Sequence, residues 1–152
     1  MINVSFFSFI VIILLEYTKG LQLNRKTKVL ITVAGVFILT AVVLGAMAAH
    51  WLKAVLSSTE IDSFNTAVRY QMWMGIGAAN IVIIEKVFLN SVSKAAWRVL
   101  AGAFLFSGSI YTLTLLNEGS FLRQIAGSIT PTGGLIMISG WLIFVLSRNP
   151  LW

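Results

Sequence analysis

The chain is 152 residues long, 58% hydrophobic and only 11% charged, with a mean hydropathy of +0.91, whereas soluble domains carry roughly a quarter charged residues. This is the composition of an integral membrane protein, and the basic residues behind the net charge of +6 sit at the ends of apolar runs, so they read as orientation signals rather than a nucleic-acid footprint. With no cysteine, disulfides, thiolate metal sites and thiol catalysis are excluded, and the redox compartment stays open.

Ile2 to Leu15 is apolar and stops at Glu16, which is short for a span of about 20 residues. It lacks the basic n-region and Ala-x-Ala-like site of a cleaved signal peptide. Three readings stand open: a fifth, short membrane helix, an interfacial helix, or an upstream extension from a misplaced start codon. Residues 1–27 therefore form an N-terminal apolar segment, closed by a basic collar of Arg25, Lys26 and Lys28 of the kind that holds a flank in the cytoplasm. Residues 28–152 are read as a four-helix transmembrane domain.

Val29 to Ala49 is the first secure span, about 31 Å long as a helix and enough to cross the hydrocarbon. Ala41, Gly45 and Ala49 recur every four residues and predict a smooth stripe for close helix packing. His50, the chain's only histidine, follows at the expected outer surface. In Trp51 to Ala67, Ser57 and Glu60 have capping-box spacing, and Ile61, Phe64 and Val68 recur at three and four residues. That pattern predicts an amphipathic helix on the outer surface, running straight into the second span.

The second span covers about Val68 to Phe88, with Arg69, Tyr70 and Gln71 at its outer end and Glu85 and Lys86 at its inner one. Trp73, Gly77 and Asn80 share one helical face, and Tyr70, Met74 and Ala78 another. Asn80, the polar side chain nearest mid-membrane, is read as an interhelical hydrogen bond in preference to a transport role. Past Lys94 and Arg98, Ala95 to Leu116 forms the third span, with Ala103, Ser107 and Tyr111 on one face and Gly108 and Thr112 beside them. Asn117 to Ile129 is expected as a short outer connection in which Glu118 and Arg123 cancel. Thr130 and Pro131 then have the N-cap and first-turn pattern of a fourth span, Pro131 to Ser147. Its Gly133, Gly134 and Gly140 invite close packing, and Trp141 is left open between bundle interior and lipid.

The charges orient the whole. Lys19, Arg25, Lys26, Lys28, Lys86, Lys94, Arg98 and Arg148 fall on the expected inner side, against Lys53, Arg69 and Arg123 outside. That imbalance fits the positive-inside rule with a cytoplasmic C-terminus in the cell inner (plasma) membrane.

LGAMAAH (Leu44 to His50), YQMWM (Tyr70 to Met74), FSGSIY (Phe106 to Tyr111) and TPTGGLIMISGW (Thr130 to Trp141) occur in that order. Together they resemble the YgdD/YwdK-type family of small bacterial membrane proteins, related to eukaryotic TMEM proteins of similar size, over roughly Lys28 to Arg148. The resemblance implies a four-helix membrane fold and carries no reaction with it. Two positions depart from the family pattern, which tends to place a second histidine where Met74 stands and glycine where Ala48 stands.

Topology and motifs combine in a ring of polar side chains expected toward the outer leaflet: His50, Tyr70, Gln71, Ser107, Tyr111 and Thr130. Such groups are costly in hydrocarbon unless they pair, so the ring should face the bundle interior. No carboxylate pair, nucleophilic elbow or phosphate loop accompanies it, so neither an enzyme nor a cofactor is expected. A haem held by His50 and Met74 is disfavoured by their different depths and by the usual packing role of methionine. The expected fold class is an all-α membrane protein, a four-transmembrane-helix bundle with an outer amphipathic helix and an additional N-terminal apolar helix. The expected role is structural or accessory, with the lipid bilayer, a homo-oligomer or a membrane protein as partner and no nucleic acid. The alternative is a small transporter or channel, or a binder of a lipid or quinone at the outer leaflet.

Overall fold

A computed structural model describes residues 24–89, 94–117 and 119–146. The N-terminal apolar segment, Lys19, Glu118 and Arg148 lie outside them. Helix α1 (Arg25–Ala49) starts where the Asn24 side chain accepts both the Thr27 amide N–H and the Thr27 hydroxyl at 2.9 Å. Three basic residues in its first turn oppose the helix dipole, so this cap, and not side-chain charge, starts the helix. Its buried line is Thr27, Leu30, Ala34, Ala41 and Ala48, a correction to the expected stripe: Gly45 is half-buried and Ala49 exposed. Steps of four drift about 40° around a helix each time, whereas steps of seven drift only about 20°, so the seven-residue repeat stays on a neighbouring helix.

A 3₁₀ turn at Leu52–Ala54 leads to α2, Ser58–Leu89, a helix of 32 residues. The expected surface helix and second span are this one element, about 48 Å long. The Ser57 and Glu60 box closes as predicted: the Ser57 N–H donates to the Glu60 carboxylate at 2.8 Å, and the Glu60 N–H reaches Ser57 Oγ at 3.4 Å. The Ser57 hydroxyl and N–H hold the Glu60 carboxyl below its ordinary pKa, with a smaller push from Arg123.

Helix α3 is Ala95–Leu115 and α4 is Phe121–Leu146. The fourth helix thus begins ten residues before its expected start, and Pro131 lies inside it. Proline in a helix removes one N–H and crowds the carbonyl four residues back. Here that residue is Gly127, and the Thr130 and Thr132 hydroxyls donate to the carbonyls of Ala126 and Ser128, both at 3.2 Å. Hydroxyls bonding around the gap let lipid-facing helices carry proline, which defeats the N-cap reading of Thr130.

Successive helices pack on one another, while α1 and α3 barely meet. The main core joins Leu30, Ala34, Ala78, Val82, Val99 and Phe144. Trp141 packs inward over Gly77 and donates its indole N–H to Met74 Sδ at 3.5 Å. Between α3 and α4, a Cβ added at Gly102 would stand 2.5 Å from the Met137 amide nitrogen, and one at Gly133 2.5 Å from that of Phe106. Gly140 similarly abuts the Val99 backbone. Gly108 does not follow suit: nothing lies within 4 Å of where its Cβ would be. It faces a groove instead, although its place beside the Ser107 and Tyr111 face predicts a close helix contact. Among the described residues, three elements are long and apolar enough to cross a membrane: Arg25–Ala54, Ala95–Leu115 and Phe121–Leu146. α2 is the longest helix and carries Arg69, Gln71, Asn80, Glu85 and Lys86 along its length.

Candidate functional site: a polar clasp beside a lateral groove

Gln71 is the centre of the polar cluster, and its position is set by α2. Phe64 packs level with Ala48 and Leu52, so α2 enters the bundle earlier than the hydropathy of Val68 suggested. Gln71 consequently lies opposite Phe37 and Thr40, with Thr40 about 22 Å along α1 from Arg25 and about 14 Å from Ala49. This is nearer the middle of the helices than the expected outer rim.

The side chain is 7% exposed and makes bonds to two neighbouring helices. Its Nε2 donates to the Phe37 carbonyl at 3.1 Å and to Thr40 Oγ1 at 2.7 Å, both on α1. Its Oε1 accepts the Tyr111 hydroxyl of α3 at 2.8 Å. Thr40 passes its own proton to the Val36 carbonyl at 2.7 Å. One α-turn from Tyr111, Ser107 donates to the Ala67 carbonyl at 2.9 Å. The Tyr111 ring packs on Phe64 with centroids 4.7 Å apart.

The other ring members part company. Thr130 is half-buried and meets Ser109 at 2.7 Å, Oγ to Oγ, joining α4 to α3. Tyr70 is 37% exposed and lays its ring against Phe106 at 4.7 Å. His50 is exposed and makes no side-chain hydrogen bond among the described residues, so it stands outside the clasp. Asn80 also departs from expectation: it is exposed, and its amide donates to the Ile76 carbonyl of its own helix at 3.0 Å rather than across to a neighbour. Met74 packs against the core around Val82, whereas His50 is exposed at the end of α1, so the two potential haem ligands share no packing cluster.

Sequence reasoning missed Thr40 and Ser109. A hydroxyl interrupting the apolar run VFILTAVVL was the available signal for the first. Ser109 pointed away from the face defined by Ser107 and Tyr111 and offered none.

Because α1 and α3 scarcely touch, a groove of about 280 Å³ opens between them with α2 as its floor. Phe37, Leu44 and Phe104 form its apolar walls, Gly108 its open side, and Gln71 and Tyr111 its polar base. Every donor at that base is already spent: both Gln71 N–H groups and the Thr40, Ser107 and Tyr111 hydroxyls donate within the protein. The residual capacity is acceptor oxygen alone.

A family model described as a protein of unknown function (DUF423) matches residues 44–134. The chain belongs to this family. A UPF0382 membrane protein of Staphylococcus haemolyticus is 39% identical to it over 103 residues, 68% of this chain and 80% of that protein. The UPF0382 membrane protein YwdK of Bacillus subtilis is 33% identical over 122 residues, 79% and 95% of the two. A UPF0382 membrane protein of Schizosaccharomyces pombe is 39% identical over 107 residues, 68% and 86%. No solved structure matches. The family segment includes Gln71, Ser107 and Tyr111 but not Thr40, so the partner on α1 falls outside it.

Proposed function

We propose that the protein is a non-enzymatic structural or accessory component of the cell membrane, a four-span bundle with the Arg25 end of α1 and the chain's C-terminus in the cytoplasm. The observation that carries this reading is the closed clasp, in which Gln71 joins α2 to α1 and α3 and keeps no donor for a substrate. A catalytic or conducting site needs groups that can be offered and withdrawn, and this cluster is committed to the fold. α2 counts as a span because it packs along α1 and α3, two of the apolar helices. The orientation rests on the excess of Lys and Arg at one end.

The topology is tested with single cysteines introduced into this cysteine-free chain and an impermeant thiol reagent on intact cells. Positions 53 and 123 are expected to react and position 28 to stay protected; the reverse pattern overturns the orientation.

The lateral groove favours a second reading, a binder of membrane lipid. Its acceptor-only base would receive a hydroxyl-bearing lipid or a quinol in preference to a quinone, which brings only acceptors. Gly108→Leu extends into the groove from a position where an added Cβ has nothing within 4 Å. Loss of a co-purified lipid from an equally stable Gly108→Leu protein would establish the binder. An unchanged lipid profile would leave the scaffold alone.

A further inference from the structure

The outward side of α2 carries Trp73, Ile76, Asn80, Ile83 and Val87, all exposed. They alternate steps of three and four, the rhythm of a helix–helix seam. Any helix with one face in lipid shows that rhythm, so spacing alone decides nothing. The amide decides. The outward faces of the other helices present Val36, Leu39 and Val43 on α1, Phe104 on α3, and Leu135, Ile138 and Leu142 on α4. Asn65 and Gln124, neither of them buried, stand within two turns of a helix start; of the two carboxamides farther along the helices, Gln71 is buried and Asn80 is exposed.

One Asn80 Nδ2 hydrogen is taken by the Ile76 carbonyl. The second N–H and the Oδ1 have no partner among the described residues, and the side chain is exposed. Asn80 stands about 8 Å along the helix from Glu85, toward the middle of the bundle, where hydrocarbon offers nothing to replace the missing bonds. Gly77, grouped with Trp73 and Asn80 by sequence spacing, instead turns inward beneath Trp141, so the outward face is free for another molecule.

We propose that this face of α2 binds a second copy of the chain, with the two Asn80 side chains exchanging hydrogen bonds across a two-fold axis normal to the membrane. The inference rests on the reading of α2 as a membrane span. A second copy fits because each Asn80 retains one donor and one acceptor, a set complementary to itself. Copies inserted with the same orientation bring parallel α2 helices together with every residue at its own depth, so Asn80 meets Asn80. A different partner would have to supply a matching polar group at that depth. Trp73, Ile76 and Ile83 close the seam above and below the amides, and a polar residue within an apolar seam fixes register.

Cysteine cross-linking in native membranes tests this on the full chain, which has no competing thiol. Single cysteines at 76 and 83 are expected to give disulfide-linked dimers on oxidation, and cysteines at Val42 and Leu142, exposed on α1 and α4, are not. Asn80→Leu combined with Ile76→Cys should lower the dimer fraction, with an association constant roughly tenfold weaker, and Asn80→Gln should restore part of it. Asn80 is exposed and its side-chain hydrogen bond stays within α2, so abundance and melting temperature of the monomer should hold across these variants. Equal linking at 42, 76, 83 and 142, or linking at 76 that ignores Asn80→Leu, overturns the proposal. Labelling the cysteine at 83 with a water-soluble thiol reagent separates two failures. Ready labelling means α2 lies in water, which removes the span reading and the seam together, whereas a protected yet unlinked cysteine removes only the seam.

Discussion

Between α3 and α4, backbone lies on backbone at Gly102, Gly133 and Gly140, with the Ser109 and Thr130 hydroxyls as the bridge. Where α2 meets α1 and α3, Gly75 faces α1, a Cβ there standing 3.2 Å from the Ala34 carbonyl oxygen, and the helices are also joined by the Gln71 amide, the Tyr111 phenol and the Ser107 hydroxyl. Lipid tails are as apolar as leucine, so neither junction draws on the hydrophobic effect to bring helices together. One relies on dispersion at close range, which any extra atom destroys. The other relies on hydrogen bonds that hydrocarbon cannot replace, and it leaves space beside them. The groove lies on the second side, between α1 and α3, which barely meet and are linked through Gln71 of α2.

The comparison is broken most severely at the glycines. Gly133→Leu and Gly102→Leu should prevent accumulation of folded protein, since overpacking costs about 1 to 3 kcal/mol and more where backbone must move. Gly108→Ala should melt within about 0.5 kcal/mol of the parent. Thermal melts in mild detergent check both, and a stable Gly133→Leu protein would show that α3 and α4 can separate freely.

Gln71→Leu comes next. Interhelical hydrogen bonds in membranes average about 0.6 kcal/mol, so losing its bonds to Phe37, Thr40 and Tyr111 should lower stability by about 1 to 2 kcal/mol while the fold survives. A neutral melt would mean that apolar contacts hold α1 and α3 to α2 and that the clasp is incidental.

His50 sharpens the boundary of the clasp. It lies exposed beyond the helices and makes no bond within the cluster, so His50→Leu and His50→Gln should both stay within about 0.5 kcal/mol of the parent. Destabilisation by His50→Leu alone would return His50 to the polar ring.

The smallest effect concerns the Glu60 box at the outer end. Its folded carboxyl is held below its ordinary pKa by Ser57, so its contribution is present above the unfolded pKa and is lost as pH falls through the folded one. The parent melting temperature should therefore drop slightly more than that of Glu60→Gln on acidification below the ordinary carboxylate range. Parallel acid titrations of the two proteins would instead mean the box does not couple to folding.

The sequence alone determined that this is a helical membrane protein, because 58% hydrophobic residues in long runs leave no other way to satisfy backbone polar groups. It placed α3 and the end of α1 nearly to the residue, with α1 starting four residues before the expected Val29, and closed the Ser57 and Glu60 box, since apolar runs and caps are local signals. It also brought Gln71, Ser107 and Tyr111 into one candidate cluster, because polar side chains in apolar helices must pair. The start of α4 was misjudged, as the Thr130 and Pro131 pattern reads the same at a helix start as inside a helix whose hydroxyls bond around the proline. Which helix faces which was beyond sequence reading. Only packing decided that Gly102 and Gly133 touch backbone while Gly108 lines a groove, and that Gln71 turns inward while Asn80 turns out. A helical periodicity identifies faces but not their neighbours, and in lipid every face of a span is apolar enough to be either core or surface.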